Sequence, residues 1–267
     1  MLKDITIGQY FPGSTAVHRM DPRTKILDVL LYIIALFTCK GIIGYLLVLA
    51  FLASAVWISK IRLKTILKGV KPLIFIIVFT AILNMFYTPG NELFHIWKLR
   101  VTDAGVKNAV LIVARIIMLI TGTFLLTYTT SPMTLTDGLE RLLGPLKRVH
   151  LPVHELTMIM SIALRFIPTL IEETDKIMSA QKARGADFET GNLLQKAKAL
   201  IPVLVPLFVS AFRRADELAT AMECRCYTGG GGRTQLNPLQ WHKLDTIGLL
   251  CGIVLLTGVM VLRQFGL

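Results

Sequence analysis

Two arginines in this sequence stand where long amphipathic patterns stop, and both could bind another protein. They are central in the tripeptides Ala183-Arg184-Gly185 and Cys224-Arg225-Cys226. A basic residue at the end of a helix is favoured by the helix dipole, so capping is the simplest interpretation of one such arginine. A planar guanidinium is also a common anchor in protein interfaces. Two equivalent arginines favour the interface.

The equivalence rests on a weak internal repeat with an offset of 41 residues. The same residue occurs at both positions in three pairs: Asp175 and Asp216, Ala180 and Ala221, and Arg184 and Arg225. Both arginines also follow a long amphipathic stretch and precede a glycine or a glycine-rich segment. This shared context predicts two similar helices with similar ends.

The hydrophobic periodicity predicts a first long helix from Pro152 to about Arg184 and a second from about Leu193 to the second arginine. Pro168 is expected to kink the first helix. The two apolar stripes are Ala163, Ile167, Leu170, Thr174, Ile177 and Gln181 in the first helix, and Phe208, Phe212, Ala215, Leu218 and Met222 in the second.

Other candidate sites give no support for catalysis. The glycine run at 229–232 lacks the Gly-Lys-Ser/Thr of a phosphate-binding loop. Cys224 and Cys226 are half of a structural zinc site, and the five histidines show no metal-ligand spacing. The sequence therefore predicts a non-catalytic chain that binds neither metal nor cofactor.

The composition indicates an integral membrane protein. Hydrophobic residues make up 54% of the 267 residues and charged residues only 17%, against about 25% in soluble domains. The net charge of +12 is expected from lysine and arginine retained in cytoplasmic loops. Because nucleic-acid-binding motifs are missing from the sequence, nucleic acid is not an expected partner.

The apolar stretches predict an all-α membrane protein with about five transmembrane helices and a cytoplasmic module of long amphipathic helices. The segment 199–212 contains Pro202 and Pro206 and is predicted not to cross. Arg115, inside the fourth span, is expected to pack in the bundle or snorkel. The predicted spans are 25–39, 42–59, 70–88, 106–129 and 246–262, in domains 1–130 (four spans), 131–243 (cytoplasmic module) and 244–267 (last span).

The basic clusters set the expected orientation. Five spans with a cytoplasmic N-terminus place the basic residues of the N-terminal segment, the loop at 60–71 and the segment 131–243 on the inside. We therefore expect a multi-pass protein of the cell membrane, with its N-terminus and residues 131–243 in the cytoplasm.

Three further features of the sequence belong together. They are His18-Arg19-Met20-Asp21-Pro22-Arg23-Thr24-Lys25, Leu164-Arg165-Phe166-Ile167-Pro168 and the two arginine tripeptides. With these motifs the chain resembles a known family, the transmembrane T component (EcfT) of energy-coupling factor transporters, which are ABC-type importers of vitamins and metal ions. The resemblance covers most of the chain. The second arginine motif departs from the family pattern, because Cys226 replaces a glycine.

The resemblance implies a non-catalytic subunit between two cytosolic ABC ATPases, which hold ATP and magnesium, and a membrane S component, which binds the substrate. Arg184 and Arg225, with their flanking residues, would each enter a groove of one ATPase. The alternatives are a T component dedicated to cobalt or nickel and an unrelated membrane enzyme or channel. An adaptable apolar surface, a candidate for docking the S component, is expected at Leu204, Phe208, Met158 and Met160.

Overall fold

The computed structural model describes residues 10–89, 92–96, 99–145, 152–188, 190, 192–229 and 239–265. It confirms the predicted all-α membrane fold and adds an antiparallel hairpin, β1 (Glu92–Ile96) and β2 (Leu99–Thr102). The helices are α1 (Ala16–Arg19), α2 (Pro22–Thr38), α3 (Ile42–Ser59), α4 (Leu63–Val70), α5 (Ile74–Tyr87, after a 3-10 turn at Lys71–Leu73), α6 (Asp103–Thr129), α7 (Pro132–Leu143), α8 (Val153–Ala183), α9 (Leu193–Cys224) and α10 (Lys243–Gln264).

Six helical stretches in the described chain are long and apolar enough to cross a membrane, against the expected five or so. The predicted first span lies in α2, whose 17 residues are at the short end of the spanning range of about 17–25. Four of the six candidates contain predicted spans. The other two are α8 and α9, which are long enough to cross but are the least apolar of the six. The six are Ile42–Ser59, Leu63–Tyr87, Asp103–Thr129, Val153–Ala183, Leu194–Cys224 and Lys243–Gln264.

The chain forms two compact units, and the first comprises residues 8–138 and 239–267. Its core is built from α2, α3, α6 and α10, and the Tyr32 hydroxyl donates to the Met118 carbonyl at 2.8 Å. A Cβ atom at Gly122 would lie 2.5 Å from the Tyr32 ring, so glycine lets α2 and α6 approach closely. The buried core residues are Tyr32, Ala35, Leu36, Cys39, Tyr45, Val48, Leu52, Met118, Leu255 and Val259.

The start of α2 is held by a buried ionic network. Asp21 is the N-cap residue, and its carboxylate accepts from the Arg23 backbone N–H at 2.9 Å and from the Arg23 guanidinium at 2.7 Å. The fully buried Asp245 of α10 accepts from the Asp21 N–H at 2.6 Å. These contacts join the starts of α2 and α10, so the charged residues before the first span serve the architecture of this unit.

Lys25 extends this network to the end of α6. Its Nζ donates to the carbonyls of His18 and Thr129 and to the Thr130 hydroxyl, at 3.0–3.2 Å. The His18 ring in turn contacts the Thr15 hydroxyl. Burial lowers the pKa of His18 below its ordinary value, and the charge of Lys25 lowers it further. The neutral imidazole is therefore the form that this fold favours.

Arg115 packs inside the bundle, as expected from the sequence. Its Nη2 donates to the carbonyl of Cys39, the C-cap residue of α2, at 3.3 Å. Its guanidinium also lies over the rings of Phe37 and Tyr45, 5.9 and 5.5 Å from their centroids. A cation at the negative end of α2 is favoured by the helix dipole, so Arg115 has a structural role.

Candidate interaction site at the ends of two long helices

The second compact unit contains α8 and α9, at the positions that the periodicity predicts. They have 31 and 32 residues. Each continues through proline, at Pro168 in α8 and at Pro202 and Pro206 in α9. Asn192 and Gln195 form a capping box at the start of α9, which satisfies backbone N–H groups there.

The end of α8 is a complete Schellman motif around the first arginine. Arg184 is the C-cap residue, and the N–H of Gly185 donates to the Lys182 carbonyl at 3.0 Å. The N–H of Ala186 donates to the Gln181 carbonyl, also at 3.0 Å. Gly185 has φ +87°, in the left-handed region that this motif requires. Glycine occupies that conformation without a steric penalty.

The end of α9 repeats this geometry, although the glycine is replaced. Arg225 is the C-cap residue, the N–H of Cys226 donates to the Glu223 carbonyl at 2.8 Å, and the N–H of Tyr227 donates to the Met222 carbonyl at 3.0 Å. Cys226 takes the left-handed conformation with φ +55°. The two arginines therefore have equivalent backbone positions, and the missing glycine leaves the helix end intact.

The residues of both tripeptides are exposed. Within the described part of the chain, neither the Arg184 nor the Arg225 guanidinium has a hydrogen-bond or ion-pair partner among the side chains. Each is therefore an exposed guanidinium, with five N–H donors, at a helix end. This arrangement fits an anchor for a separate protein better than an internal cap.

α8 and α9 pack antiparallel, which places the two arginines far apart. Three contacts follow the antiparallel order: Met158 with Tyr227, Glu173 with Ser210 and Arg214, and Gln181 with Pro202. Arg225 is thus near the start of α8, and Arg184 is at its end. At 1.5 Å per helical residue, the two arginines are roughly 35 to 40 Å apart.

The candidate apolar surface is exposed at three of its four residues. Leu204, Phe208 and Met160 have exposed fractions of 44%, 61% and 42%. Met158 is half-buried, and its sulfur accepts from the Tyr227 hydroxyl at 3.2 Å. The structure thus leaves the α9 part of this surface open, whereas Met158 also supports the end of α9.

The apolar stripe predicted for α9 faces α8 only in part, because Leu218 and Met222 are half-buried but the other three residues of the stripe are exposed. Phe208 and Phe212 are exposed, whereas Val203 is buried, and Ser210 and Arg214 contact Glu173. A pattern of apolar residues alone gives no sign of these polar contacts. The spacing of Ser210 and Arg214, four residues apart and therefore on one helix face, is the signal that could have revealed them.

Comparisons with known proteins identify the family. The model of the family described as "Cobalt transport protein" (CbiQ) matches residues 13–236. The energy-coupling factor transporter transmembrane protein EcfT of Clostridium kluyveri is 53% identical over 257 residues, which cover 96% of this chain and 95% of that protein. The proteins of the same name from Ruminiclostridium cellulolyticum (98% of each chain covered) and Lactococcus lactis (98% of each) are 50% and 45% identical.

The chain belongs to the EcfT family. It is therefore the transmembrane component of an energy-coupling factor transporter and a multi-pass membrane protein. This agrees with the resemblance seen in the sequence. The EcfT name also implies a complex with other components, to which the exposed helix ends are available.

Proposed function

We propose that this EcfT-family chain transmits ATP-driven motion from two cytosolic ABC ATPases to a membrane S component that carries a micronutrient. The chain performs no chemistry itself, and ATP and magnesium are bound by the ATPase subunits. Arg184 and Arg225, with their neighbours in the two tripeptides, are the ATPase anchors.

The observation that carries this proposal is the pair of matching helix ends. Both arginines sit at the same position of a Schellman motif, both are exposed, and the ends lie at opposite extremities of one antiparallel pair. Capping alone would require neither the duplication nor the separation. Two anchors that far apart can engage two separate subunits, and a rigid helix pair can carry force between them.

The antiparallel order also supports a cytoplasmic position for α8 and α9. If both helices crossed the membrane, Arg184 and Arg225 would emerge on opposite sides, and only one could meet a cytosolic ATPase. Helices that lie along the cytoplasmic face keep both arginines on one side. This arrangement agrees with the orientation expected from the basic residues of 131–243.

The exposed apolar face of α9 is the proposed contact for the S component. Leu204 and Phe208 lie one helical turn apart on this face. A partner that is itself a membrane protein presents an apolar surface, which can cover such a face.

The substrate is proposed to be a vitamin, selected by the S component. The description of the matching family model, "Cobalt transport protein", favours a second candidate, a dedicated cobalt or nickel importer. Copurification followed by mass spectrometry separates the two. A dedicated metal importer would yield one metal-binding S component, whereas a shared T component would yield several.

The arginines are tested with Arg184→Ala, Arg225→Ala and the double variant, measured as ATPase copurification and substrate uptake. Removing a desolvated anchor typically costs 2 kcal/mol or more, roughly thirtyfold in affinity. Loss of a cap costs only about 0.3–1 kcal/mol and lowers stability, not binding. The double variant should be worse than either single variant, because each arginine engages a different subunit.

Arg213→Ala is the matched control, because Arg213 is an exposed arginine within α9, away from the helix end and outside the family motifs. It should assemble and transport normally, and all variants should keep their thermal stability. Normal assembly and uptake in the double alanine variant would refute the proposed anchors.

The apolar face is tested with Leu204→Glu and Phe208→Glu. Each should weaken association with the S component while ATPase copurification survives. Leu194→Glu is the control, since Leu194 is an exposed apolar residue near the start of α9, outside 199–212. Equal loss of both partners would show that the face is not a separate docking surface.

A further inference from the structure

A polar cluster lies between α8 and α9, midway between the two arginine ends. The Glu173 carboxylate accepts from the Ser210 hydroxyl through one oxygen and from Arg214 Nη2, at 2.7 Å, through the other. The side chains of Glu173 and Arg214 are only 21% and 33% exposed. Both carboxylate oxygens of Glu173 are therefore engaged across the helix pair.

The neighbouring residues along this interface are mainly apolar. Leu170 and Ile177 of α8 and Val203 and Leu207 of α9 are half-buried or buried. Apolar contact is not directional, so these residues favour packing without selecting one alignment of the two helices along their length. A charged hydrogen-bonded pair does select one, because it is satisfied only when its partners are opposite each other.

A second polar contact selects the same alignment. Pro206 has no backbone N–H, so the Pro202 carbonyl lacks the donor that an ordinary helical residue would supply four positions later. Gln181 of α8 supplies one instead, because its Nε2 donates to the Pro202 carbonyl at 3.4 Å. The proline that disrupts α9 internally thus creates an acceptor that α8 uses.

We propose that Glu173, Ser210 and Arg214 form a register lock that fixes how α8 and α9 align, and with it the separation of Arg184 and Arg225. The role of this separation rests on the proposed ATPase anchors. A slip of one helical turn in one direction would replace Arg214 by Ser210 and bring Pro206 beside Glu173. A slip in the other direction would replace Ser210 by Arg214 and bring in Leu218. Either slip moves the arginines by about 5 Å relative to each other and leaves part of the lock unsatisfied.

The lock is tested by charge reversal in the full transporter complex. The variants are Glu173→Arg, Arg214→Glu and the double swap of both. Each single reversal places like charges together, so ATPase copurification and uptake should fall at least tenfold. The swap restores opposite charges and should recover both to within threefold of the original chain. The control is Arg213→Glu, because Arg213 is the exposed neighbour of Arg214; it should change either quantity less than twofold.

Alignment itself is measured by cross-linking Met158→Cys to Tyr227→Cys with a short bifunctional maleimide. These positions are in contact near the start of α8, distant from the lock. The four native cysteines are first replaced, Cys226 by glycine and the others by alanine, in a background that retains uptake. Cross-linking should drop in both single reversals and return in the swap.

The two measurements separate the lock from the anchors. Unchanged cross-linking in the single reversals overturns the lock, as does cross-linking that the swap fails to restore. If cross-linking follows the charges while uptake and ATPase copurification stay normal, the lock sets alignment but the claim that alignment positions the anchors is overturned. Failure of the anchors themselves is decided independently, by Arg184→Ala and Arg225→Ala.

Discussion

Arg23, before the first span, and Arg184 and Arg225, at the ends of α8 and α9, all belong to motifs by which the chain resembles the EcfT family. Their surroundings differ. Arg23 binds the buried Asp21 through two of its nitrogens, lies over the Trp241 ring and also donates to the Leu239 carbonyl. Arg184 and Arg225 are exposed, and the described part of the chain offers their guanidinium groups no partner.

This difference distinguishes an arginine that stabilises the fold from an arginine that is available to another protein. An arginine whose donors are satisfied inside the chain stabilises the fold, and its loss should be seen as lost stability. An arginine held on a rigid helix end without such partners contributes little to the fold, and its loss should be seen in assembly. The type of residue is the same in both regions, so its surroundings decide its role.

The largest effect is expected from Asp21→Ala, which removes the N-cap of α2 and leaves Arg23 without its carboxylate. Breaking a buried ion pair costs about 3–5 kcal/mol, so the purified chain should show a strongly lowered melting temperature. Asp103→Ala is the control, because Asp103 is an exposed acid in the first turn of α6. If Asp21→Ala melts like Asp103→Ala, the network does not stabilise the fold.

Lysine substitution should change a different measured quantity in each region: ATPase affinity at the two helix ends and melting temperature at Arg23. Arg184→Lys and Arg225→Lys keep the charge but lose the planar fork, so ATPase affinity should fall about tenfold, or about 1.4 kcal/mol. Their melting temperatures should stay unchanged. Arg23→Lys should instead lower the melting temperature, since lysine cannot reproduce the paired contacts with Asp21. Binding titrations and thermal melts of the same preparations test both expectations.

The two Schellman motifs should respond oppositely to exchange of their left-handed residues. Gly185→Ala introduces a side chain at positive φ and should destabilise the end of α8 by about 1 kcal/mol. Cys226→Gly removes that strain, partly offset by the greater freedom of unfolded glycine, and should stabilise the end of α9 by about 0.5 kcal/mol. Amide hydrogen exchange of the last turns measures both. A gain in protection at α8 would contradict the assigned strain.

The smallest effect is expected from pH, at His18. Because burial lowers the pKa of His18 in the folded chain, the folded state binds fewer protons than the unfolded state. Its stabilising contribution is present above a pH of about 6.5, the ordinary histidine pKa, and is lost as pH falls below that value. Melting temperatures at pH 8 and 5.5 should therefore differ less in His18→Gln than in the original chain.

The sequence predicted what depends on local pattern and length. The bounds of α3 were predicted to the residue, and those of α9 nearly so, because apolar runs, glycine and proline mark helix limits directly. The equivalence of Arg184 and Arg225 was also visible, since both follow the same pattern at one offset. The predicted bounds of α9 already include Pro202 and Pro206, but the contact by which Gln181 supplies the donor missing at Pro202 was not predicted, because it comes from another helix.

Contacts between residues far apart in the sequence could not be predicted from local pattern. The bond from the Asp21 N–H to Asp245 joins residues separated by more than 200 positions, and local periodicity carries no information about it. The pairing of Glu173 with Arg214 likewise depends on the antiparallel alignment of two helices. The left-handed conformation of Cys226 could not be predicted from its residue type, because the backbone hydrogen bonds of the helix end impose it.

The antiparallel pair also has an approximate two-fold symmetry. The repeat relates each residue of α8 to the residue 41 positions later in α9, so Glu173 corresponds to Arg214, the residue that it contacts. A position that meets its own equivalent lies at the symmetry axis, where two identical charges would repel. The repeat has diverged there into an acid and a base, and Arg184 and Arg225 lie equally far on either side. A pair of ATPase subunits related by their own two-fold axis could therefore bind both arginines symmetrically, although one continuous, asymmetric chain carries them.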